Sequence, residues 1–136
     1  MFFRGVALMS ALLGLVFLSC AGQAQSPSDS TRPLRAAPAP VIVVDVVGAI
    51  GVGTAHQIEE VLARAKTERS GLVILRLDTP GGLVSATRTI IGAILASPVP
   101  VAVFVAPSGA RAASAGTYIA YAAHVAAMAP RTHLGA

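Results

Sequence analysis

The 136-residue sequence has one cysteine, no tryptophan and only 12% charged residues. A single cysteine excludes a disulfide framework and a cysteine-based zinc site. The low charge and the 54% hydrophobic content exclude a disordered chain. The formal net charge is +4, but the arginines are scattered and form no run, so no nucleic-acid partner is expected. We also expect neither a metal site nor a cofactor. A chain of this length has room for one modest domain.

The first 24 residues have the form of a secretory signal peptide. A short basic start, Met1–Arg4, precedes an uncharged apolar run from Gly5 to Leu18. The small residues Gly22 and Ala24 predict cleavage after Ala24. Two alternatives remain open, namely lipidation at Cys20 and an uncleaved membrane anchor. In each case we expect the protein to be exported and to work outside the cytoplasm.

Residues 25–40 are rich in serine, proline and alanine and have no apolar period. That composition is typical of a linker. The globular domain is therefore expected to occupy residues 41–136.

Strands alternate with helices along the predicted domain. Strands are predicted at residues 41–47, 72–78, 101–105 and, more briefly, 125–128. Helices are predicted from Thr54, with Gln57 completing a capping box, then at 83–96, and from near Ser114 to about Ala123. The β-branched runs are typical of strands covered on both faces. This alternation indicates an α/β fold with a parallel sheet and right-handed crossovers.

Two loops follow the carboxyl ends of the second and third strands, which is where binding and catalytic residues usually lie in such sheets. The first, Asp78–Gly82, ends in a diglycine at the start of a predicted helix, where the backbone N–H groups have no partner within the helix and no side chain covers them. The second, Ser108–Gly116, places Ser114 among small residues, so that its hydroxyl is a candidate nucleophile and the N–H of Ala115 a candidate oxyanion donor. Taken alone, these residues leave open a plain helix cap at Ser114 and a turn or phosphate loop at the diglycine.

Several longer stretches are specific enough to indicate a family. They are Leu75–Leu83, Val105–Thr117, Ala122–Pro130 and Thr132–Ala136. Together they resemble the membrane-bound Clp-type serine peptidases called NfeD. The resemblance covers residues 41–136. It implies the ClpP/crotonase-like spiral fold and an ATP-independent peptidase with a Ser–Lys dyad.

The resemblance also implies residue roles and partners. Ser114 would be the nucleophile, and Ala115 with Gly81 or Gly82 would supply the oxyanion hole. The residues expected in the substrate cleft are Thr79, Pro80, Gly116 and His133. The substrate would be the hydrophobic tail of a stomatin-like membrane protein. The enzyme would be membrane-associated and a homodimer or larger homo-oligomer.

The position of the general base departs from the family pattern. The dyad lysine is expected some forty residues after Ser114, beyond Ala136, so we interpret the chain as an N-terminal fragment whose spiral is incomplete. Lys66 is expected roughly 18 Å along the first helix from the active edge, on the surface. His124 would lie about 15 Å from Ser114 on one helix, too far for proton transfer. His133 remains open as a base.

The remaining polar candidates have simpler interpretations. Asp45 and Asp78 could line the cleft, although hydrogen bonds to loop amides explain them as well. Arg111 could orient a substrate carbonyl or lie in solvent, and His56 is expected to face solvent.

Two other classes of function remain open. A crotonase-like acyl-CoA enzyme shares the fold and the paired-amide oxyanion hole, but needs a carboxylate in the cleft. A non-catalytic module could bind a membrane partner through the same cleft, and the missing lysine favours it for this chain.

Overall fold

The computed structural model describes residues 38–136. The predicted signal peptide and residues 25–37 of the predicted linker lie outside the described residues. The elements are β1 (Val41–Val47), α1 (Val52–Thr67), β2 (Leu72–Asp78), α2 (Val84–Leu95), β3 (Val101–Val105), β4 (Arg111–Ala113), α3 (Ala115–Ala122), β5 (Val125–Met128) and β6 (His133–Gly135).

Four strands form a parallel sheet in the order β1-β2-β3-β5, and β4 pairs with β6 in a separate parallel pair. The register joins Val41 to Leu72 and Val73 to Val101, so the carboxyl ends of the strands meet at one edge. This confirms the predicted α/β fold with a parallel sheet and the short fourth strand. None of the helices in residues 38–136 is long and apolar enough to cross a membrane.

One face of the sheet carries the core and the other is open in the described part of the chain. Along β1, Ile42, Val44 and Val46 are buried, whereas Val43 and Val47 are 56% and 75% exposed. The prediction that β1 is covered on both faces is therefore wrong for these residues. A run of β-branched residues predicts a strand, but it does not predict whether anything packs on the second face of that strand.

The helix starts differ from the sequence prediction. The first helix begins after Gly51, whose N–H donates to the hydroxyl of Thr54 at 3.4 Å, so the expected capping box between Thr54 and Gln57 is wrong. At the second helix, predicted at 83–96, Leu83 is the N-cap residue and is 55% exposed, so the helix begins one residue later. The buried residues of that helix are Ala86, Thr87, Ile90 and Ile94.

The stretch predicted as the Ser108–Gly116 loop contains the short strand β4. It pairs with β6 through Ala112 and Leu134, and Ala112 also bridges to Thr79. A strand of three residues is too short to show an alternating pattern, so neither β4 nor β6 was visible in the sequence. The pair matters because it connects the end of β2 to the start of α3.

Candidate active site

Ser114 occupies a strained turn between β4 and α3. Its backbone has φ 49° and ψ −109°, and its hydroxyl makes no capping hydrogen bond to the helix. A non-glycine residue in such a conformation costs about 1–3 kcal/mol, and strain of this kind clusters at functional sites. The side chain is exposed and its oxygen has no hydrogen-bond partner within residues 38–136. The interpretation of Ser114 as a plain helix cap is therefore wrong.

Backbone hydrogen bonds on both sides hold this turn. The N–H of Ser114 donates to the carbonyl of Gly135 in β6 at 3.1 Å. On the helical side, the N–H of Thr117 donates to the Ser114 carbonyl at 3.0 Å, and the Thr117 hydroxyl donates to the carbonyl of Ala112 at 2.8 Å. These bonds fix the main chain at Ser114 and leave its hydroxyl unengaged.

The diglycine turn is organised by Thr79, which is completely buried. The Thr79 hydroxyl accepts a hydrogen bond from the N–H of Gly81 at 3.0 Å and lies 3.2 Å from the carbonyl oxygen of the same residue, to which it donates. The backbone of Thr79 pairs with β4, because its N–H donates to the carbonyl of Arg111 and its carbonyl accepts from Ala113. The turn after β2 is thus bound directly to the strand that leads to Ser114.

Each glycine of the pair is required by a different neighbour. Gly81 has φ +117°, and a Cβ there would lie 3.0 Å from the Cβ and 3.4 Å from the Oγ of Ser114. A Cβ on Gly82 would lie 2.1 Å from the carbonyl oxygen of Ile50 in the β1–α1 loop. The two glycines therefore let three segments of main chain approach one another more closely than any side chain would allow.

Hydrogen bonding distinguishes the two glycine amides. The N–H of Gly81 is engaged by Thr79. Around Gly82, the N–H of Ile50 donates to the Gly81 carbonyl and the N–H of Leu83 donates to the Ile50 carbonyl, both at 2.8 Å. In such a parallel bridge the residue between the two bonded groups directs its own N–H away from the partner segment. The N–H of Gly82 is therefore available to a ligand.

Gly82, Ser114 and Ala115 line one cavity of about 400 Å³, here called the Ser114 cavity. Ala115 is the first residue of α3, where backbone N–H groups have no partner within the helix and the helix dipole adds positive potential. The remaining lining residues are Val84, Thr87, Arg88, Ile91 and Tyr118. The cavity thus joins a free hydroxyl and two backbone donors to apolar walls.

The residues predicted for the substrate cleft fall into two groups. Thr79 and Gly116 are buried, and a Cβ on Gly116 would lie 2.6 Å from the Cγ2 of Thr79. These two residues pack behind the site and do not line the cleft, which corrects the prediction. Pro80 and His133, the latter in β6, are exposed but do not line the Ser114 cavity either. A Cβ on Gly135 would lie 3.7 Å from the Nε2 of His133, so the imidazole lies over the residue that binds the Ser114 N–H.

The other titratable candidates lie away from the Ser114 cavity. Lys66 is exposed in the last turn of α1 and lines a separate groove beside Pro98. The Nδ1 of His124 accepts a hydrogen bond from the N–H of Val101 at 3.1 Å, at the amino end of β3. His124 is thus far from the edge that carries Ser114. His56 faces solvent, as predicted.

The two strand-end aspartates have structural partners. The Oδ1 of Asp78 accepts from the N–H of Arg111 at 3.1 Å, which confirms the loop-amide interpretation. Asp45 instead forms an ion pair with Arg76 on the open sheet face, with one hydrogen bond of 2.7 Å from Nη2 to Oδ2. The hydrogen bond to Asp45, followed by the charge of its carboxylate, raises the pKa of Arg76. Neither acid lines the Ser114 cavity.

Sequence reasoning overlooked Arg88 and Tyr118, which line the cavity beside Ser114. A signal was present, since Val84, Arg88 and Ile91 have the i, i+4, i+7 spacing of one helix face. The apolar period of this helix predicts only its buried face, which is the opposite one.

The family model that describes the N-terminal domain of NfeD1b matches residues 40–136. The membrane-bound protease PH1510 of Pyrococcus horikoshii is 43% identical over 96 residues, covering 71% of this chain and 22% of that protein. The membrane protein NfeD1b of Bacillus subtilis is 34% identical over 127 residues, covering 93% of this chain and 27% of that protein. The chain thus spans about a quarter of the length of these two relatives.

Solved structures of relatives share the fold. The 1510-N membrane protease of P. horikoshii, described as specific for a stomatin homologue, has 42% identity and a TM-score of 0.67, covering 71% of this chain and 48% of that one. A lysine-to-alanine variant of 1510-N in complex with a substrate peptide has 42% identity and a TM-score of 0.68, covering 71% and 44%. ClpP1 of Listeria monocytogenes has 27% identity and a TM-score of 0.54, covering 60% and 46%. This chain belongs to the NfeD1b N-terminal domain family and has its ClpP-like α/β fold.

Proposed function

We propose that this chain carries the nucleophile and the oxyanion hole of an ATP-independent serine endopeptidase of the membrane-bound ClpP/NfeD class. One observation carries the proposal: the Ser114 hydroxyl, which has no partner among residues 38–136, shares a cavity with the backbone N–H groups of Gly82 and Ala115. The relatives named as membrane-bound proteases support the same chemistry.

The chemistry follows from the positions of these groups. The Oγ of Ser114 attacks the carbonyl carbon of the scissile peptide bond, and the negative charge that develops on the carbonyl oxygen is stabilised by the N–H groups of Gly82 and Ala115. Loss of one such donor typically lowers kcat by about 10²–10³. The leaving amine takes up the proton released from the hydroxyl, and water then hydrolyses the acyl-enzyme ester. We assign the donor role to Gly82 because the N–H of Gly81 is held by Thr79.

The proton must pass to a general base within hydrogen-bond reach of Ser114. Lys66 lies beside Pro98, and His124 lies at the amino end of β3. Both are therefore too far from Ser114 to act as its general base. We place the base in a lysine some forty residues after Ser114, as the family resemblance implies. A lysine-to-alanine variant of a relative was solved with a substrate peptide, which supports this assignment.

We further propose a hydrophobic segment of a stomatin-like membrane protein as the substrate, cleaved on the extracytoplasmic side of a membrane to which the enzyme is exported by its N-terminal signal peptide. The apolar walls of the Ser114 cavity and the stomatin specificity named for 1510-N support the substrate class. The open sheet face, with Val43 and Val47 exposed, supports a homodimer or larger homo-oligomer, which sedimentation velocity would test.

Labelling with a fluorophosphonate tests the nucleophile directly. Ser108 is a matched control because it is also exposed, but its hydroxyl is engaged with the carbonyl of Pro130 at 2.8 Å. A serine hydrolase that has lost one member of its triad keeps about 10³–10⁴-fold catalysis over water, supplied by the oxyanion hole and substrate binding together. We therefore expect Ser114 to be labelled on the order of 10³ times faster than Ser108, even where no base assists, as measured by mass spectrometry of the labelled peptides.

The expected labelling is lost in Ser114→Ala, retained in Ser108→Ala, and lost in the native protein on unfolding in urea. Equal labelling of the two serines would overturn the peptidase proposal. Retention on a coenzyme A resin without labelling would instead indicate the acyl-CoA class. The Ser114 cavity disfavours that class, because no aspartate or glutamate of the described residues lines it.

A further inference from the structure

The Ser114 cavity has one wall from each of two helices. Val84, Arg88 and Ile91 lie on one face of α2 and line the cavity. The facing wall includes Tyr118, one turn after Ser114 in α3. The cavity is therefore a groove between α2 and α3 that leads to the proposed nucleophile. A substrate bound at Ser114 must contact this groove.

Among the described residues that line the groove, Arg88 is the one with a charged side chain. Its side chain is exposed, and it forms no ion pair with any residue that the structure describes. Arg64 and Arg76 are each paired with a carboxylate on the surface, whereas Arg69, Arg111 and Arg131, like Arg88, form no ion pair with a described residue. Arg88 differs from these three in that it lines the groove. No aspartate or glutamate of the described residues lines the groove to neutralise Arg88. A ligand can therefore supply the counter-ion.

A carboxylate is the group that best fits a free guanidinium in this position. The planar fork of arginine donates two parallel hydrogen bonds to a carboxylate, which gives geometric selection as well as attraction. Arg88 lies between Val84 and Ile91 along α2, so the carboxylate must stand next to an apolar group on the ligand. A purely apolar ligand would leave the charge unpaired and partly desolvated, which is unfavourable.

We propose that Arg88 determines substrate specificity by pairing with a carboxylate that adjoins the apolar side chain held by Val84, Ile91 and Tyr118. This inference rests on the proposed peptidase function and adds a charge requirement to a hydrophobic substrate. The carboxylate can belong to an aspartate or glutamate side chain or to a peptide C-terminus. Both sources present the same group to Arg88.

Peptide binding separates the two sources without requiring catalysis. Four fluorescein-labelled peptides with one common apolar core carry either Glu or Gln beside it, and end in either a free carboxylate or an amide. Their affinities for the Ser114→Ala chain are measured by fluorescence anisotropy. A partly exposed arginine–carboxylate pair gives roughly fivefold tighter binding. We expect this preference for Glu over Gln if a side chain is recognised, or for the acid over the amide if the C-terminus is.

Substitutions assign the preference to Arg88. In Arg88→Gln the preference disappears, whereas the matched control Arg64→Gln, which removes the same charge from an exposed position on α1, retains it. Arg88→Glu reverses it in favour of a peptide with Lys beside the apolar core. Equal affinity for all four peptides would overturn the proposal, as would an equal effect of the two Gln variants.

The outcomes distinguish this proposal from the one on which it rests. A chain that is labelled at Ser114 but shows no preference for a carboxylate retains its peptidase assignment and loses the role of Arg88. A chain that prefers the carboxylate through Arg88 but is not labelled keeps the binding site and loses the nucleophile.

Discussion

Replacement of Ser114 by glycine should stabilise the protein relative to replacement by alanine. The backbone at Ser114, with φ 49° and ψ −109°, lies near the first central position of a type II′ turn, which glycine dominates. Alanine keeps the Cβ and therefore the strain, which costs about 1–3 kcal/mol. Glycine removes the strain but loses about 0.5–1 kcal/mol through the greater freedom of the unfolded chain. The difference leaves Ser114→Gly more stable than Ser114→Ala by about 1 kcal/mol.

Urea unfolding followed by circular dichroism measures this difference. The control Ala63→Gly places glycine at an exposed position within α1, where the ordinary helical loss of about 1 kcal/mol is expected. Glycine in place of alanine should therefore raise the free energy of unfolding at position 114 and lower it at position 63. If Ser114→Gly proves less stable than Ser114→Ala by as much as the control, the turn holds no strain and its link to a nucleophile is refuted.

Two further substitutions test the scaffold behind the site. Gly82→Ala places a Cβ 2.1 Å from a carbonyl oxygen of the β1–α1 loop and should cost more than about 2 kcal/mol of unfolding free energy, whereas Gly92→Ala, with open space around it on α2, should gain about 1 kcal/mol. Similar effects at both positions in thermal unfolding would contradict the close approach. Thr79→Val leaves the buried N–H of Gly81 without its acceptor and should cost about 1–3 kcal/mol, while Thr79→Ser should restore most of it. Equal stability of the two Thr79 variants would show that the hydroxyl does not support the turn.

Much of the fold could be predicted because its signals are local. The apolar runs that became β1, β2 and β3, and the helices between them, are long enough to show their period, and the alternation of the elements predicts a parallel sheet. The strands β4 and β6 were missed because three residues carry no period. The open face of β1 was missed because exposure depends on neighbours in space, which propensity does not record.

The site shows the same division between local and non-local information. Ser114 and the diglycine could be proposed as site residues from their residue types and the family resemblance. The choice of Gly82 over Gly81 could not, because it depends on the hydroxyl of Thr79 and on the bridge to Ile50. The sequence places Arg88 on one helix face with Val84 and Ile91, but that this face borders the site depends on the packing of α2 beside α3, which is non-local.

The close packing of main chain around the diglycine bears on how the proposed oxyanion hole works. Gly82 bridges to Ile50 after β1, and Thr79 bridges to Ala112 in β4, so three successive loops are joined by backbone hydrogen bonds before any substrate arrives. Donors fixed in this way need no reorganisation as charge develops, and this property accounts for most of the catalytic effect of such holes. The strain at Ser114 has the same origin, because the bonds to Gly135 and Thr117 hold its backbone where an unconstrained serine would not stay. The glycines and the strained serine therefore act together. The rigid backbone contacts around them set the positions of the hydroxyl and the two N–H groups relative to one another.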